Sequence, residues 1–237
     1  MRRGWIAATL LLAACTTQTT THQSPPDSFN STQPPTAQDA PHLNENEIHA
    51  DLIRQMLAQG HYYAALAHIE DAQRSGGSSD ELILLEADAR RNLGQQQQAD
   101  ALYRKLLDKS KYSAEAYHGL GRLYVKTDLD EAIPYLQRAV KDFPTNVDFR
   151  SDLGYALMEA GRYTEAALEL STAAELAPDQ LKTRNNLIIL YLLKGNEKAV
   201  GQLYQESGLT PDRLQELRDT AQKIRNEQSA RAAKAAG

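Results

Sequence analysis

The hydrophobic pattern divides the chain into three unequal parts. An apolar run, Trp5 to Ala14, stands at the N-terminus behind Arg2 and Arg3. Residues 16–45 are mostly polar: nineteen of the thirty are Thr, Ser, Pro or Gln, and five of the nine prolines fall there. From Asn46 onward, apolar, small and polar positions settle into a register that repeats. When Gly60, Gly94 and Gly161 are superposed, Ala65, Ala99 and Ala166 each fall five residues later, and Ala87, Gly121 and Gly154 share a small position upstream. The clearest unit is "VDFRSDLGYALMEAGRYTEAALELSTAAELAPDQ", Val147 to Gln180, with Leu153-Gly154, Gly161, Tyr163, Ala166, Ala173 and Pro178. The unit before it, "AEAYHGLGRLYVKTDLDEAIPYLQRAVKDFPTN", carries Leu120-Gly121, Tyr124, Ala132, Ala139 and Pro144 and has lost one residue from its turn. A self-similar period of this length signals stacked supersecondary units.

The spacing predicts five helix–turn–helix units, at 46–79, 80–113, 114–146, 147–180 and 181–214. The first, second and fifth are the looser ones. A small residue where two helices cross lets their backbones approach, and a leucine there would overpack the contact by about 1–3 kcal/mol. Leu153, Tyr163 and Leu170 fill the gaps between the small positions. Each pair leaves an apolar face that only a neighbouring pair can cover. Pro144 and Pro178 stop the second helices, and Pro134 is expected in the first turn of its helix, where a missing N–H costs little. A last helix is predicted over 211–228, with Thr210 as N-cap and Pro211 at its first position. Its stripe of Leu214, Leu217, Ala221 and Ile224 either docks on the last repeat or presents itself to a partner. Residues 229–237 are expected to fray.

These units resemble the tetratricopeptide repeat, over about 170 of the 237 residues. The resemblance implies an all-α fold, a superhelix (α-solenoid) of about five repeats closed by a C-terminal capping helix. It also implies a partner-binding groove lined by the first helix of each repeat. In this register the inward positions are His118, Arg122 and Lys126 in the third repeat and Ser151, Tyr155 and Met158 in the fourth. In the fifth they are Asn185, Ile189, Leu192 and Leu193, with Asn186 beside them. Such a groove runs from a basic middle to an amide-and-aliphatic end. An asparagine side chain can hold a peptide backbone through both its donor and its acceptor. Arg122 and Lys126 equally suit a solvated face, and Ile189, Leu192 and Leu193 equally suit burial under the last helix. The Lys/Asn/Arg set of the family's carboxylate-clamp members is not reproduced.

The N-terminal pattern speaks to location. A positive start followed by a short apolar run is shaped like a secretory signal over residues 1–14, too short to span a bilayer. It ends in Leu12-Ala13-Ala14-Cys15. That sequence resembles the lipobox of bacterial lipoproteins, which implies cleavage before Cys15 and its acylation with a thioether-linked diacylglycerol and an N-linked chain such as palmitate. Two acyl chains already anchor stably, at about 0.8 kcal/mol per buried methylene. Cys15 is the one cysteine, so no internal disulfide and no cysteine-based zinc cluster can form. By resemblance to lipoprotein sorting, Thr16 is not the inner-membrane retention signal, which implies the outer membrane, facing the periplasm. Residues 15–45 then read as the lipidated cysteine and a disordered tether, spanning roughly 30 Å as a flexible coil.

Charge and motif narrow the chemistry. Without residues 1–14 the chain has 24 Lys and Arg against 31 Asp and Glu, a balance of −7, with no basic block. That argues against nucleic acid as a partner. No phosphate loop and no His-Glu-x-x-His helix occurs. The six histidines are scattered, and "DLDE" at Asp128 to Glu131 lacks the glycine and spacing of a calcium loop. No catalytic, metal or cofactor site is expected beyond the covalent lipid. The stretch "KTRNNLIILYLLKGNEKAV", with the lipobox, tether and repeats, resembles the TadD-like lipoproteins of tight-adherence (Flp) pilus assembly. The resemblance implies a non-catalytic adaptor that binds a pilus secretin or another secretion-machine component. A type IV pilus pilotin-like factor and an adaptor for cell-wall hydrolases are the alternatives. The sequence leaves the oligomeric state open.

Overall fold

The computed structural model describes residues 45–108 and 111–236, and in them the chain forms eleven α-helices and no strand. The expected signal, Cys15 and the expected tether up to residue 44 lie outside the described residues, and Glu45 opens α1. The helices are α1 (Glu45–Ala58), α2 (Tyr62–Gly76), α3 (Asp80–Asn92), α4 (Gln96–Arg104), α5 (Ser113–Tyr124), α6 (Leu129–Asp142), α7 (Val147–Glu159), α8 (Tyr163–Leu176), α9 (Leu181–Leu193), α10 (Glu197–Ser207) and α11 (Pro211–Ala236). From α1 to α10 they pack as consecutive pairs. The first helix of each pair from α3 to α9 also lies against the second helix of the pair before it.

The turn inside a pair has one design, used four times. Gly60, Gly94, Gly161 and Gly195 end their helices with φ of 79°, 73°, 75° and 67°. That region costs a side chain with a Cβ but not glycine. The next residue's N–H reaches back five positions, from His61 to the Met56 carbonyl (2.8 Å), Gln95 to Arg90 (2.9 Å), Arg162 to Leu157 (2.8 Å) and Asn196 to Tyr191 (2.9 Å). This is the Schellman closure of a helix end. The third pair, one residue shorter, closes differently: Asp128 N–H bonds to the Tyr124 carbonyl at 2.8 Å. Asp128 then caps α6 by accepting from Glu131 N–H at 3.0 Å. "DLDE" is thus a capping turn.

Packing follows the small and large positions. Ala65, Ala99, Ala132 and Ala166 are fully buried. A Cβ on Gly121 would sit 2.4 Å from Leu136 Cγ, and one on Gly154 would sit 2.6 Å from Leu170 Cγ. The leucines therefore lie directly on backbone. Gly119, which the repeat register does not single out, is tighter still, with a Cβ position 2.3 Å from the ring of Tyr103. That ring is fully buried. Its hydroxyl donates to Asp88 Oδ1 (2.6 Å) and accepts from Arg91 Nε (3.1 Å). Burial, and then the Asp88 charge, push its pKa far above the ordinary phenol value.

Two expectations need correction. Pro134 is not in the first turn of α6 but at its sixth residue, inside the helix. Pro134 and Asp130 are both exposed, which puts the missing hydrogen bond on the solvent side of the helix, where it costs least. The tail expected to fray from residue 229 is instead helical to Ala236, because Gln228 and Arg231 bond to the end of α7. Gly119→Ala tests the tightest crossing. Alanine gains about 0.5–1 kcal/mol in a helix interior, and overpacking costs about 1–3 kcal/mol. A net loss of about 1–2 kcal/mol is expected in urea unfolding, because hydrogen bonds hold the Tyr103 ring in place.

Candidate functional site

The first helices α5, α7 and α9 carry the residues assigned to the groove, except Lys126, which follows the end of α5. Their polar groups are already engaged with one another across repeats. His118 Nε2, on α5, donates to Asp152 Oδ2 on α7 at 2.8 Å, and its ring lies 4.5 Å from that of Phe149. Lys182 Nζ, on α9, lies 2.7 Å from Asp152 Oδ1, and Arg122 Nε lies 3.7 Å from Oδ2. One carboxylate thus ties three consecutive repeats. Burial alone would raise the Asp152 pKa. The hydrogen bond from His118 and the charge on Lys182 outweigh burial and lower it to about 2.

The remaining groove residues divide by exposure. Lys126 is exposed and has no ionic partner among the described residues, and Arg122 is also exposed. Ser151 is buried, and its Oγ accepts from Asn186 Nδ2 at 3.1 Å, so that amide is spent within the wall. Met158 is fully buried. Tyr155 is half-buried, and burial, then Glu159, raise its phenol pKa. Asn185 is half-buried, with Oδ1 shielded and unpartnered among the described residues. Ile189, Leu192 and Leu193 are buried, and α11 packs along their helix. The basic middle is therefore partly neutralised by Asp152, and the aliphatic end is closed over.

What closes it is α11. Thr210 Oγ1 accepts from Arg213 N–H at 3.2 Å, capping the helix. Leu217, Ala221 and Ile224 are buried and Leu214 half-buried, so the stripe is docked. The dock is not the one a further repeat would use. α11 lies along α9 and reaches α7, across the inner face of the first helices. α10 keeps a polar outer flank, with Glu197, Lys198, Gln202, Gln205 and Glu206 exposed. α9 has Leu187 to Leu190 buried in succession, with Leu192 and Leu193 after them. Cavities remain beside α11: one of about 700 Å³ against α9, bordered by Asn185, Ile189 and Leu217, and one of about 540 Å³ bordered by Lys126, Tyr155 and Glu227.

The inward register at every third or fourth residue misses Asp152, Lys182, Glu159 and Gln228. Asp152 was reachable: it lies one period before Asn186. Among the described residues no group of three or more His, Cys, Asp or Glu is placed to hold a metal ion, and no helix is long and apolar enough to cross a membrane. A carboxylate held down as Asp152 is adds stability that is fully present above its unfolded pKa near 3.8 and lost as pH falls through about 2. The shift corresponds to about 2 kcal/mol. Acid unfolding followed by helical circular dichroism should show that loss between pH 4 and 2. Asp152→Asn should remove this component and lower stability at neutral pH by about the same amount.

Residues 126–185 match a tetratricopeptide repeat family model, and residues 81–110 match a second model of the same description. The chain is 32% identical over 164 residues to the TPR repeat-containing protein PA4299 of Pseudomonas aeruginosa. That match takes in 68% of this chain, which spans 64% of the relative's length. Among solved structures, TTC0263, a thermophilic TPR protein of Thermus thermophilus, superposes with a TM-score of 0.62 at 22% identity, over 76% of this chain and 98% of that one. MamA from Desulfovibrio magneticus gives 0.55 at 19% identity, over 74% and 96%. At these identities the likeness of the solved structures is one of fold. By repeat, turn and packing, the described chain is a tetratricopeptide-repeat superhelix, an architecture that scaffolds protein–protein interactions.

Proposed function

We propose that this scaffold is a lipid-anchored adaptor of the outer membrane, facing the periplasm, that helps assemble a tight-adherence (Flp-type) pilus secretion machine. The observation that carries the adaptor reading is the inner face itself. Its first helices hold one another rigidly through Asp152 and leave Arg122 and Lys126 exposed to a partner. The anchor rests on Leu12-Ala13-Ala14-Cys15 and the pilus assignment on "KTRNNLIILYLLKGNEKAV". The work is positional: acyl chains on Cys15 fix one end, and the repeats hold a secretin or another secretion-machine component. A tether raises the effective concentration of what it holds only when it reaches both sites. The adaptor needs no catalytic group, no metal and no cofactor besides the lipid, and it does not bind nucleic acid.

Cys15→Ala should leave the repeats folded, with unchanged helical circular dichroism, and move the protein from the outer-membrane fraction to the soluble periplasm. Wholly membrane-bound variant would remove acylation as the dominant anchor. A photo-crosslinker at Arg122 should capture a secretin or another secretion-machine component in cells. Recovery of a wall hydrolase without any pilus component would replace the pilus assignment.

A further inference from the structure

The contacts that hold α11 across the inner face have a spacing. Arg225 Nη2 donates to the Leu192 carbonyl at the C-terminus of α9, and Arg231 Nη2 donates to the Glu159 carbonyl at the C-terminus of α7. Helix C-termini carry partial negative charge, which favours cations there. Six residues of helix rise about 9 Å, and packed helices lie about 8–10 Å apart. One arginine therefore meets the end of each successive first helix. Arg218, seven residues before Arg225, pairs with Glu197 at 3.0 Å. Between the two carbonyl contacts, Gln228 Nε2 donates to the Met158 carbonyl (2.6 Å), and its Oε1 accepts from Tyr163 Oη (2.7 Å).

This seat is specific but light. Among the described residues of this 26-residue helix, only Leu217, Ala221 and Ile224 are buried. Open volume remains beside it, and the Asn185 Oδ1 in the wall has no partner among the described residues. The stack does not need α11 as an end cap, because α10 already turns a polar flank outward.

We propose that α11 is a displaceable occupant of the binding groove, and that the groove's partner is a basic amphipathic helix written in the same code. The code is an apolar stripe spaced as Leu217, Ala221 and Ile224, with basic side chains six or seven residues apart. Those cations meet the ends of α7 and α9 and the carboxylates of Glu159 and Glu197. The proposal rests on the adaptor reading and specifies the chemistry of what the adaptor grips.

The test uses the full chain and a fluorescent peptide with the sequence of residues 211–236. Two variants loosen the resident helix without touching the repeats: Gln228→Ala with Arg231→Ala, and Ile224→Glu, which sets a carboxylate on the apolar floor. Opening the groove should raise the peptide's apparent affinity at least about tenfold over wild type, because affinity scales with the fraction of open protein. A peptide carrying Arg225→Glu and Arg231→Glu should lose that gain. Hydrogen exchange should quicken in α11 and stay unchanged in α3 and α4, which do not pack on it. Faster exchange with no gain in peptide affinity overturns the proposal, and so does an α11 that exchanges no faster in either variant. If chains failing these tests still capture a secretion-machine component from position 122, the adaptor function stands and the helical code falls.

Discussion

Backbone contact at the helix crossings sets the geometry of the stack. Leu136 and Leu170 rest on Gly121 and Gly154 with no room for a single carbon between them. Such an approach fixes both the separation and the rotation of a pair, since any turn about either axis would bring a larger side chain into the gap. Interiors packed at this density do not deform smoothly. Once the pairs are rigid, the remaining freedom lies in how each pair sits on the next. The turn glycines and the buried alanines allow little variation there. Polar groups on the inner face can then meet at hydrogen-bonding distance across three repeats, as His118, Asp152 and Lys182 do.

A second constraint comes from α9. Its apolar residues run almost around its circumference, and α7, α8 and α10 cover only part of them. Something must cover the inner side. The chain supplies α11, whose charged face stays in water while its narrow stripe goes down. A solenoid with a polar inner face at its fifth repeat would not require this. The same aliphatic floor that a ligand would value obliges the protein to shield it.

Much of this fold was legible because small residues are costly to misplace. Gly60, Gly94 and Gly161 announce the period, and the alanines five residues later locate the second helix. Gly119 was not legible. It matters only because Tyr103, sixteen residues upstream and in the preceding pair, lies across it, and a tertiary contact leaves no periodic mark. Pro134 misled for a related reason: a first-turn position is the low-cost choice locally, whereas a place on the exposed side of α6 makes the interior position tolerable. The groove was half legible. The inward column picked residues of α5, α7 and α9, but which of their side chains are buried or consumed internally depends on neighbours a period away, as with Ser151 and Asn186. The direction taken by α11 follows from arginine-to-carbonyl contacts with α7 and α9, which no local pattern encodes.

The outer flank of α10 has a bearing on assembly. Repeat stacks can in principle polymerise, because each open end resembles the surface its own neighbour would cover. Lys198, Gln202 and Glu206 make that end a poor template, since a second copy abutting it would have to strip water from these polar groups. At that end the fifth repeat is closed by hydration of its own polar flank.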